Sequence, residues 1–449
     1  LTHIIQPQDK TEQMKSGPTF REAFLFWLKL GFISFGGPAG QIAIMHEYLV
    51  ERKKWISNSR FVHALNYCMI LPGPEAQQLA IYNGWLLHGT RGGLIAGLFF
   101  ILPSIFILLC LSMLYVLFGK IFWFQSLFEG LKPAVLAIVL FACYRIGRKS
   151  LRSMLHIGIA LLSFCCIYFF NIPFPLIILS VLVLALLRGY LFPERMGKKA
   201  VDDSTSENES DYFINSLQSQ GTFSWNPVSL MLKTGTALLM WLIPFLAIRL
   251  FIQDTGFWNT LSFFFTKAAL VTFGGAYAVL PYVAQVSVDK LHWLNPSQMM
   301  DGLALGETTP GPLIMVLAFV GFMGSYGHYG GSLLHGSLGL LTTVYFTFLP
   351  CFFFVLAGAP LVERARSFAK INEMISLLSA AVAGVILNLA FFLGKSVLLA
   401  PGIDHPSFQT FNLVWIVVSL VFLFRFKEKM ILWIGISAIA GLIRFLILS

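Results

Sequence analysis

Pro72-Gly73-Pro74-Glu75-Ala76-Gln77-Gln78 places two prolines, a glycine, a carboxylate and two amides inside an otherwise apolar run. Proline removes a backbone donor and clashes with the preceding turn, so this stretch interrupts a helix rather than continuing one. A second copy, Pro310-Gly311-Pro312, follows 238 residues later. The same offset relates Gly36-Gly37 to Gly274-Gly275, Lys29 to Lys267, Phe35 to Phe273 and Trp55 to Trp293. The chain reads as a duplicated unit organised around helix breaks.

Of the 449 residues, 57% are hydrophobic and 12% charged. That is too little polar surface to cover a soluble globule, whereas lipid-facing walls need none. An all-α polytopic membrane protein is expected. The net charge of +10 raises nucleic acid as a partner, but the Lys and Arg residues fall in short clusters between apolar runs, as the positive-inside rule expects. Membrane lipid is therefore the expected surrounding and nucleic acid is not a partner. Cys68, Cys110, Cys143, Cys165, Cys166 and Cys351 lie in apolar segments, without zinc-site spacing or the loop positions of disulfides. They read as packing residues, and no metal or cofactor is expected. The polar first twenty residues hold no apolar h-region, so no cleaved signal peptide is expected.

Residues 1–20 read as a soluble leader and 21–193 as a first membrane repeat. Its opening run, Phe24 to Phe35, is about a dozen residues long, short of the roughly 20 a crossing needs. Gly36-Gly37-Pro38 interrupts it, and a second short arm leads to the basic loop Glu51-Arg52-Lys53-Lys54-Trp55. Arms over 61–71 and 77–87 flank Pro72-Gly73-Pro74 in the same manner. Ordinary spans follow at 93–119, kinked by Pro103, at 128–144, and as a pair within 153–187 split by Asn171-Ile172-Pro173. Residues 194–226 are too polar to bury a core and read as a cytoplasmic linker. The glycosylation pattern Asn208-Glu209-Ser210 within it is set aside as a chance match. One linking span occupies 227–256. The second repeat, 257–449, holds the two matched breaks and spans near 332–357, 372–398, 409–424 and 430–448. Two six-segment halves and the extra span make about 13 membrane segments, some of them broken or re-entrant.

An odd number of segments between equivalent points leaves the second copy pointing the opposite way, an inverted-topology repeat. The charges agree. The first-copy loop holds Arg52, Lys53, Lys54 and Arg60, whereas the matched second-copy loop has only Asp289, Lys290 and His292. Placing the first loop inside also puts the clusters at 145–152, 188–199, 364–370 and 425–429 inside, with the N-terminus cytoplasmic and the C-terminus external.

Backbone that leaves a helix within hydrocarbon loses hydrogen bonds worth several kcal/mol, so it persists only where it is buried or lines a polar cavity. Each break also exposes a helix N-terminus, whose free N–H groups and dipole form an anion site without a fixed charge. Four such termini converging near the midplane are the arrangement of a secondary transporter for an anion.

Phe35-Gly36-Gly37-Pro38, Leu71-Pro72-Gly73-Pro74-Glu75-Ala76-Gln77-Gln78, Phe273-Gly274-Gly275-Ala276-Tyr277 and Thr309-Pro310-Gly311-Pro312 together resemble the signatures of the chromate ion transporter (CHR) family, in its long two-domain form. The resemblance covers about residues 20 to 448. It implies a bacterial inner-membrane, multi-pass protein that exports chromate by secondary active transport, driven by the membrane potential or a proton gradient, and confers chromate resistance, with halves of opposite topology. Moving a dianion out of an inside-negative cell gains about 4.6 kcal/mol per 100 mV, so export needs no ATP. Gly394-Lys395-Ser396 lacks the earlier glycine of a P-loop. Transport of sulfate or another oxyanion, and a channel rather than a carrier, remain alternatives. A membrane enzyme reducing the oxyanion is disfavoured, because no haem, flavin or iron–sulfur ligand spacing is present. Backbone donors discriminate poorly between tetrahedral dianions, so sulfate is expected to compete. A homodimer is left open.

The expected substrate-binding residues are the breaks themselves, Gly36, Gly37, Pro72, Gly73, Pro74, Gly274, Gly275, Pro310, Gly311 and Pro312, joined by Gln77 and by the matched lysines Lys29 and Lys267. A buried ammonium suits an oxyanion; alternatively each lysine snorkels to the interface. Glu75 and Glu307 are candidates for proton coupling, or for capping a half-helix, and they do not match at the repeat offset. Gln77 and Gln78 can donate to an oxyanion or bond between helices. Thr308 and Thr309 can offer hydroxyls or bond back to their own helix. His46 and His63 read as interfacial.

Overall fold

Helices dominate the described residues because the chain alternates apolar runs with Gly, Pro and Asn stops. The computed structural model describes residues 17–35, 37–191, 212–213, 227–251, 254–362, 369–400, 407–426 and 429–448. Residues 1–16 of the leader, Gly36, the linker apart from Tyr212 and Phe213, and the cluster from Arg364 to Phe368 lie outside the described residues.

In the first half, α1 (Phe20–Ile33), α2 (Gly37–His46) and α3 (Asn58–Cys68) are short arms. At 1.5 Å per residue the longest, 14 residues, spans about 21 Å, less than the ~30 Å of a hydrocarbon core. Thr19 caps α1 by accepting from the Glu22 N–H at 3.2 Å. α2 loosens into a π-helical turn, Glu47–Arg52. α4 (Glu75–Phe118) follows the Pro-Gly-Pro break and is itself broken at His88 and Gly89, where ψ swings to 26° and −156°. The chain folds back on itself there: a Cβ on Gly84 would meet Gly92 O and one on Gly97 would meet the Ile81 side chain, so the short arm and the long span expected from the sequence are two antiparallel helices joined at His88 and Gly89. α5 (Phe122–Ser150), α6 (Met154–Phe170) and α7 (Phe174–Leu191) complete the half. Asn171, left-handed at φ 50°, ends α6 where the sequence reading placed a split.

α8 (Pro227–Phe251) is the linking helix. The second half repeats the pattern with α9 (Thr255–Leu270), α10 (Ala276–Gln285) and its π-helical turn Val286–Lys290, α11 (Pro296–Thr308), a 3-10 turn Leu313–Met315 leading into α12 (Val316–His328), then α13 (Leu333–Val362), α14 (Ala369–Leu398), α15 (Thr410–Arg425) and α16 (Met430–Leu448). A capping box between Asn295 and Gln298, with Pro296 in the first turn, starts α11. Two two-residue strands, Leu399–Ala400 and Ser407–Phe408, pair antiparallel between α14 and α15. Local detail also repeats at the 238-residue offset. Lys54 and His292 share φ 52°, and the N–H of Trp55 and of Trp293 each reach back six residues, to Leu49 O and Ser287 O, at 2.8 Å.

The halves pack reciprocally. α1 lies on α4 as α9 lies on α13; α6 and α7 lie on α14 of the other half, as α15 and α16 lie on α5; α5 meets α14 and α4 meets α13. Each half therefore covers the long helices of the other. Outward faces carry large apolar side chains, among them Leu161, Leu162 and Phe169 on α6, Leu238 and Ile243 on α8, and Val417 and Val421 on α15. Such faces suit lipid. Among the described residues six helices are long and apolar enough to cross a membrane, with four shorter apolar helices beside them. The Phe213 N–H donates to Lys54 O at 3.4 Å, bringing one point of the linker to the first basic loop.

Candidate functional site

The breaks meet across the halves. The Gly73 N–H donates to Thr272 O at 2.7 Å, and the Gly311 N–H donates to Ser34 O at 2.7 Å. Gly73 and Gly311 are matched positions, as are Ser34 and Thr272. One bond is therefore the repeat-image of the other, with the halves exchanged. The Ser34 and Thr272 hydroxyls turn back to Leu30 O and Ala268 O at 2.5 and 2.6 Å, closing the last turns of α1 and α9 so that their end carbonyls face the partner half.

Side chains complete the junction. Gln41 Nε2 donates to Gly311 O at 2.6 Å and to Ser34 O at 3.2 Å. Gln78 Nε2 donates to Pro72 O at 2.7 Å, and Ser104 Oγ donates to Pro310 O at 2.5 Å. Gly73 and Gly311 hold φ of 131° and 103°, values L side chains rarely adopt. Each also faces a residue that follows a proline in the opposite half: a Cβ on Gly73 would meet Cys351 Sγ, and one on Gly311 would meet Ser104 Oγ. The N–H groups of these two glycines, expected to be offered to an anion, are instead bonded across the junction.

Donors remain at the helix starts. α4 begins after Pro74, α10 after Gly275 and the Leu313–Met315 turn after Pro312, each without a side-chain cap. The Ala278 and Met315 N–H groups turn back to Gly275 O and Pro312 O at 3.1 and 2.9 Å; the N–H groups ahead of them in each first turn have no intrahelical acceptor. Gln77, in the first turn of α4, is fully buried, and neither its Oε1 nor its Nε2 has a hydrogen-bond partner. Gln41 Oε1, Gln78 Oε1 and both amide atoms of the buried Asn83 are also unpartnered. Buried amides without partners are unusual enough to require an explanation.

Two carboxylates gather at the start of α10. Glu75 Oε1 lies 3.7 Å from where a Cβ on Gly275 would sit, and Glu307 Oε1 accepts from the Tyr277 hydroxyl at 2.7 Å. Arg145 of α5 is close enough to act electrostatically on Glu307 and Tyr277, and Lys149 on Glu75. Their failure to match at the repeat offset did not keep the glutamates apart, because they reach one helix start from different halves.

Other candidates sit elsewhere. Lys29 and Lys267 are exposed, each beside a buried neighbour, Leu30 and Ala268, on the outward faces of α1 and α9. The geometry is that of side chains reaching toward an interface, not of counter-ions aimed into the junction. Thr308 and Thr309 both bond back to Leu305 O, at 2.9 and 2.7 Å. His46 bonds Asn58 Oδ1 at 2.9 Å and Glu51 at 3.2 Å at the end of α2. Pro72, Pro74, Pro310 and Pro312 are buried at the junction with Gly274 and Gly275 beside it, Gly37 starts α2, and Gly36 lies outside the described residues.

The sequence reading missed Ser34, Gln41, Ser104, Thr272, Tyr277 and Arg145. The matched hydroxyls of Ser34 and Thr272 were detectable from the repeat offset; the partners of Gln41, Ser104 and Arg145 are set by tertiary packing alone.

Uncapped helix starts and unpartnered amides, buried where two matched halves meet in an apolar helical chain, place the protein among membrane transport proteins. The chromate transporter family model matches residues 21–187 and 259–442, and the chain belongs to that family. It is 26% identical over 449 residues to the chromate transport protein of Cupriavidus metallidurans, covering 98% of each chain. It is 28% identical over 424 residues to a probable chromate transport protein of Synechococcus elongatus, covering 93% of this chain and 94% of that one. Against the chromate transport protein of Pseudomonas aeruginosa the figures are 28% over 449 residues, 97% and 94%. No solved structure matches the chain.

Proposed function

We propose that this chain exports chromate across the inner membrane as a secondary carrier and so confers chromate resistance, with the two repeats inverted and the N-terminus cytoplasmic. The observation that carries the reading is the buried junction at which uncapped helix starts and the unpartnered Gln77 amide surround the paired Pro-Gly-Pro breaks. Such groups bind an oxyanion without a fixed positive charge, and an uncharged site can close around a dianion and later release it. The reciprocal bonds between matched residues support a two-fold relation between the repeats. On this reading Gly274, Gly275 and the Pro-Gly-Pro residues shape the site, and Gln77 supplies its amide.

Glu75 and Glu307 give the site a proton dependence. An anion at the start of α10 is repelled by either carboxylate when ionised, so substrate and proton loading are linked there. Membrane potential supplies about 4.6 kcal/mol per 100 mV for a dianion moving out. Sulfate is the second reading, because the donors described are backbone and amide groups that fit any tetrahedral dianion.

Chromate uptake into inverted vesicles tests the proposal, with membrane potential and pH gradient imposed separately and sulfate as competitor. Accumulation is expected to follow an inside-positive potential and to be lost when Pro72, Gly73 and Pro74 are replaced by alanine. Uptake no greater than that of empty vesicles under every gradient would overturn the assignment.

A further inference from the structure

A polar cavity lies away from the junction, at the far end of α10. Its volume is about 190 Å³ and its walls include Tyr168, Asn171, Gln285, Asp289, Asn388 and Lys395. At ~30 Å³ per water this is room for about six waters, enough for a partly hydrated oxyanion. α10 has ten residues, so the cavity is about 15 Å from the Gly274-Gly275 break at the other end of the helix.

The lining is arranged for a ligand. Asn388 and Lys395 stand two turns apart on one face of α14. The Lys395 ammonium lies 5.6 Å from the centre of the Tyr168 ring, an aromatic contact that holds the chain over the cavity without neutralising it. Asn171 is fixed at the left-handed end of α6, and Gln285 is the last residue of α10. Asn171, Asp289 and Lys395 are exposed and Gln285 and Asn388 half-buried, so the amides and the ammonium are open to a solute entering the cavity. Asp289 is the one acid of the lining.

We propose that this cavity is a second anion site, where the transported oxyanion pauses on Lys395 and the three amides before release. The proposal rests on the exporter reading for its sidedness, since that reading puts the Asp289 loop outside. Asp289 opposite Lys395 leaves the cavity near neutral, so the anion is held weakly. Weak holding is what an exit site requires, because tight binding there would make release limiting. The Gly394-Lys395-Ser396 stretch thus has a role unrelated to nucleotide.

Equilibrium binding of chromate to the purified full-length chain in detergent tests this. Wild type is expected to show two classes of site. Lys395→Gln should weaken the looser class about tenfold, the loss typical of one charge-assisted hydrogen bond, and leave the tighter class unchanged. Lys395→Arg should retain both classes. Asp289→Asn should act in the opposite direction, tightening the looser class while slowing turnover. Gln77→Leu should abolish the tighter class and spare the looser. A single class unchanged by Lys395→Gln, or Asp289→Asn weakening binding as Lys395→Gln does, would overturn the second site and leave the exporter reading standing. Absence of any chromate binding to wild type would overturn both.

Discussion

Replacing Gly73 by alanine tests the junction directly. The new methyl would sit 2.5 Å from Cys351 Sγ and 2.6 Å from Gln78 Nε2, on a residue whose φ is 131°. Backbone strain of this kind is worth about 1–3 kcal/mol, and overpacking a filled site about 1–3 kcal/mol more. Moving Gln78 also endangers its 2.7 Å bond to Pro72 O, another ~1 kcal/mol. A total of about 3–7 kcal/mol is a large part of the ~5–15 kcal/mol by which folded proteins are stable. Gly37→Ala is the control: its φ is 72°, but no atom lies within 4 Å of the added methyl, so only strain of ~1–2 kcal/mol is expected. Thermal unfolding in detergent and chromate uptake into inverted vesicles should both fall much further for Gly73→Ala. Adding Cys351→Ala should recover part of the stability, since it removes one clash but not the strain. Equal effects of Gly73→Ala and Gly37→Ala, or no recovery in the double variant, would refute the cross-half contact as the reason for glycine.

Lys29→Gln and Lys267→Gln, singly and together, should leave chromate uptake within about twofold of wild type, because both side chains are exposed. Tyr277→Phe removes the hydroxyl bonded to Glu307 and should lower uptake about tenfold while shifting its pH profile, whereas Tyr326→Phe, on the half-buried face of α12, should do neither. Asp301 is buried, takes a 2.8 Å bond from Tyr115 and lies 4.0 Å from Lys132, which also pairs with Glu129. Lys132→Met alone should destabilise the protein by about 3–5 kcal/mol in denaturant unfolding, and Lys132→Met with Asp301→Leu should be close to wild type. The His328 hydrogen bond, ahead of the Phe257 N–H, holds the Asp254 carboxyl below its usual range. A lowered carboxylate stabilises the fold above its unfolded pKa of about 3.9 and loses that contribution as pH falls through the lower folded value. Hydrogen-exchange protection in the first turn of α9, taken relative to the intrinsic amide rate at each pH, should therefore fall in acid, and Asp254→Asn should blunt that change.

The breaks and arms were legible because they are local. A Pro-Gly-Pro in an apolar run stops a helix whatever surrounds it, and a fixed offset between two copies needs no structure to detect. The orientation of Lys29 was not legible: α1 is apolar nearly all round, so its sequence does not distinguish a lipid face from a buried one, and packing on α4 decides. Glu75 and Glu307 were found but not joined, since symmetry was the guide and their meeting at α10 is asymmetric. Gln41 gave no signal because its matched residue is Val279; only the first-half copy reaches across to Gly311. The lone Lys395 looked like a failed nucleotide motif until Asn171 and Gln285 were brought beside it.

The reciprocal bonds also constrain how such a protein can move. A carrier must expose its site alternately to each side, and a rotation of one half against the other displaces atoms in proportion to their distance from the axis. Gly73 to Thr272 and Gly311 to Ser34 are images of one another, so on the two-fold reading the axis passes between them. There a rotation displaces atoms least, and two 2.7 Å bonds survive a tilt that separates groups farther out. The charges around the junction are unequal: Lys132 with Asp301 joins α5 to α11, while Glu307 and Tyr277 lie near Arg145 of the same α5. On the carrier reading the matched breaks are then the pivot.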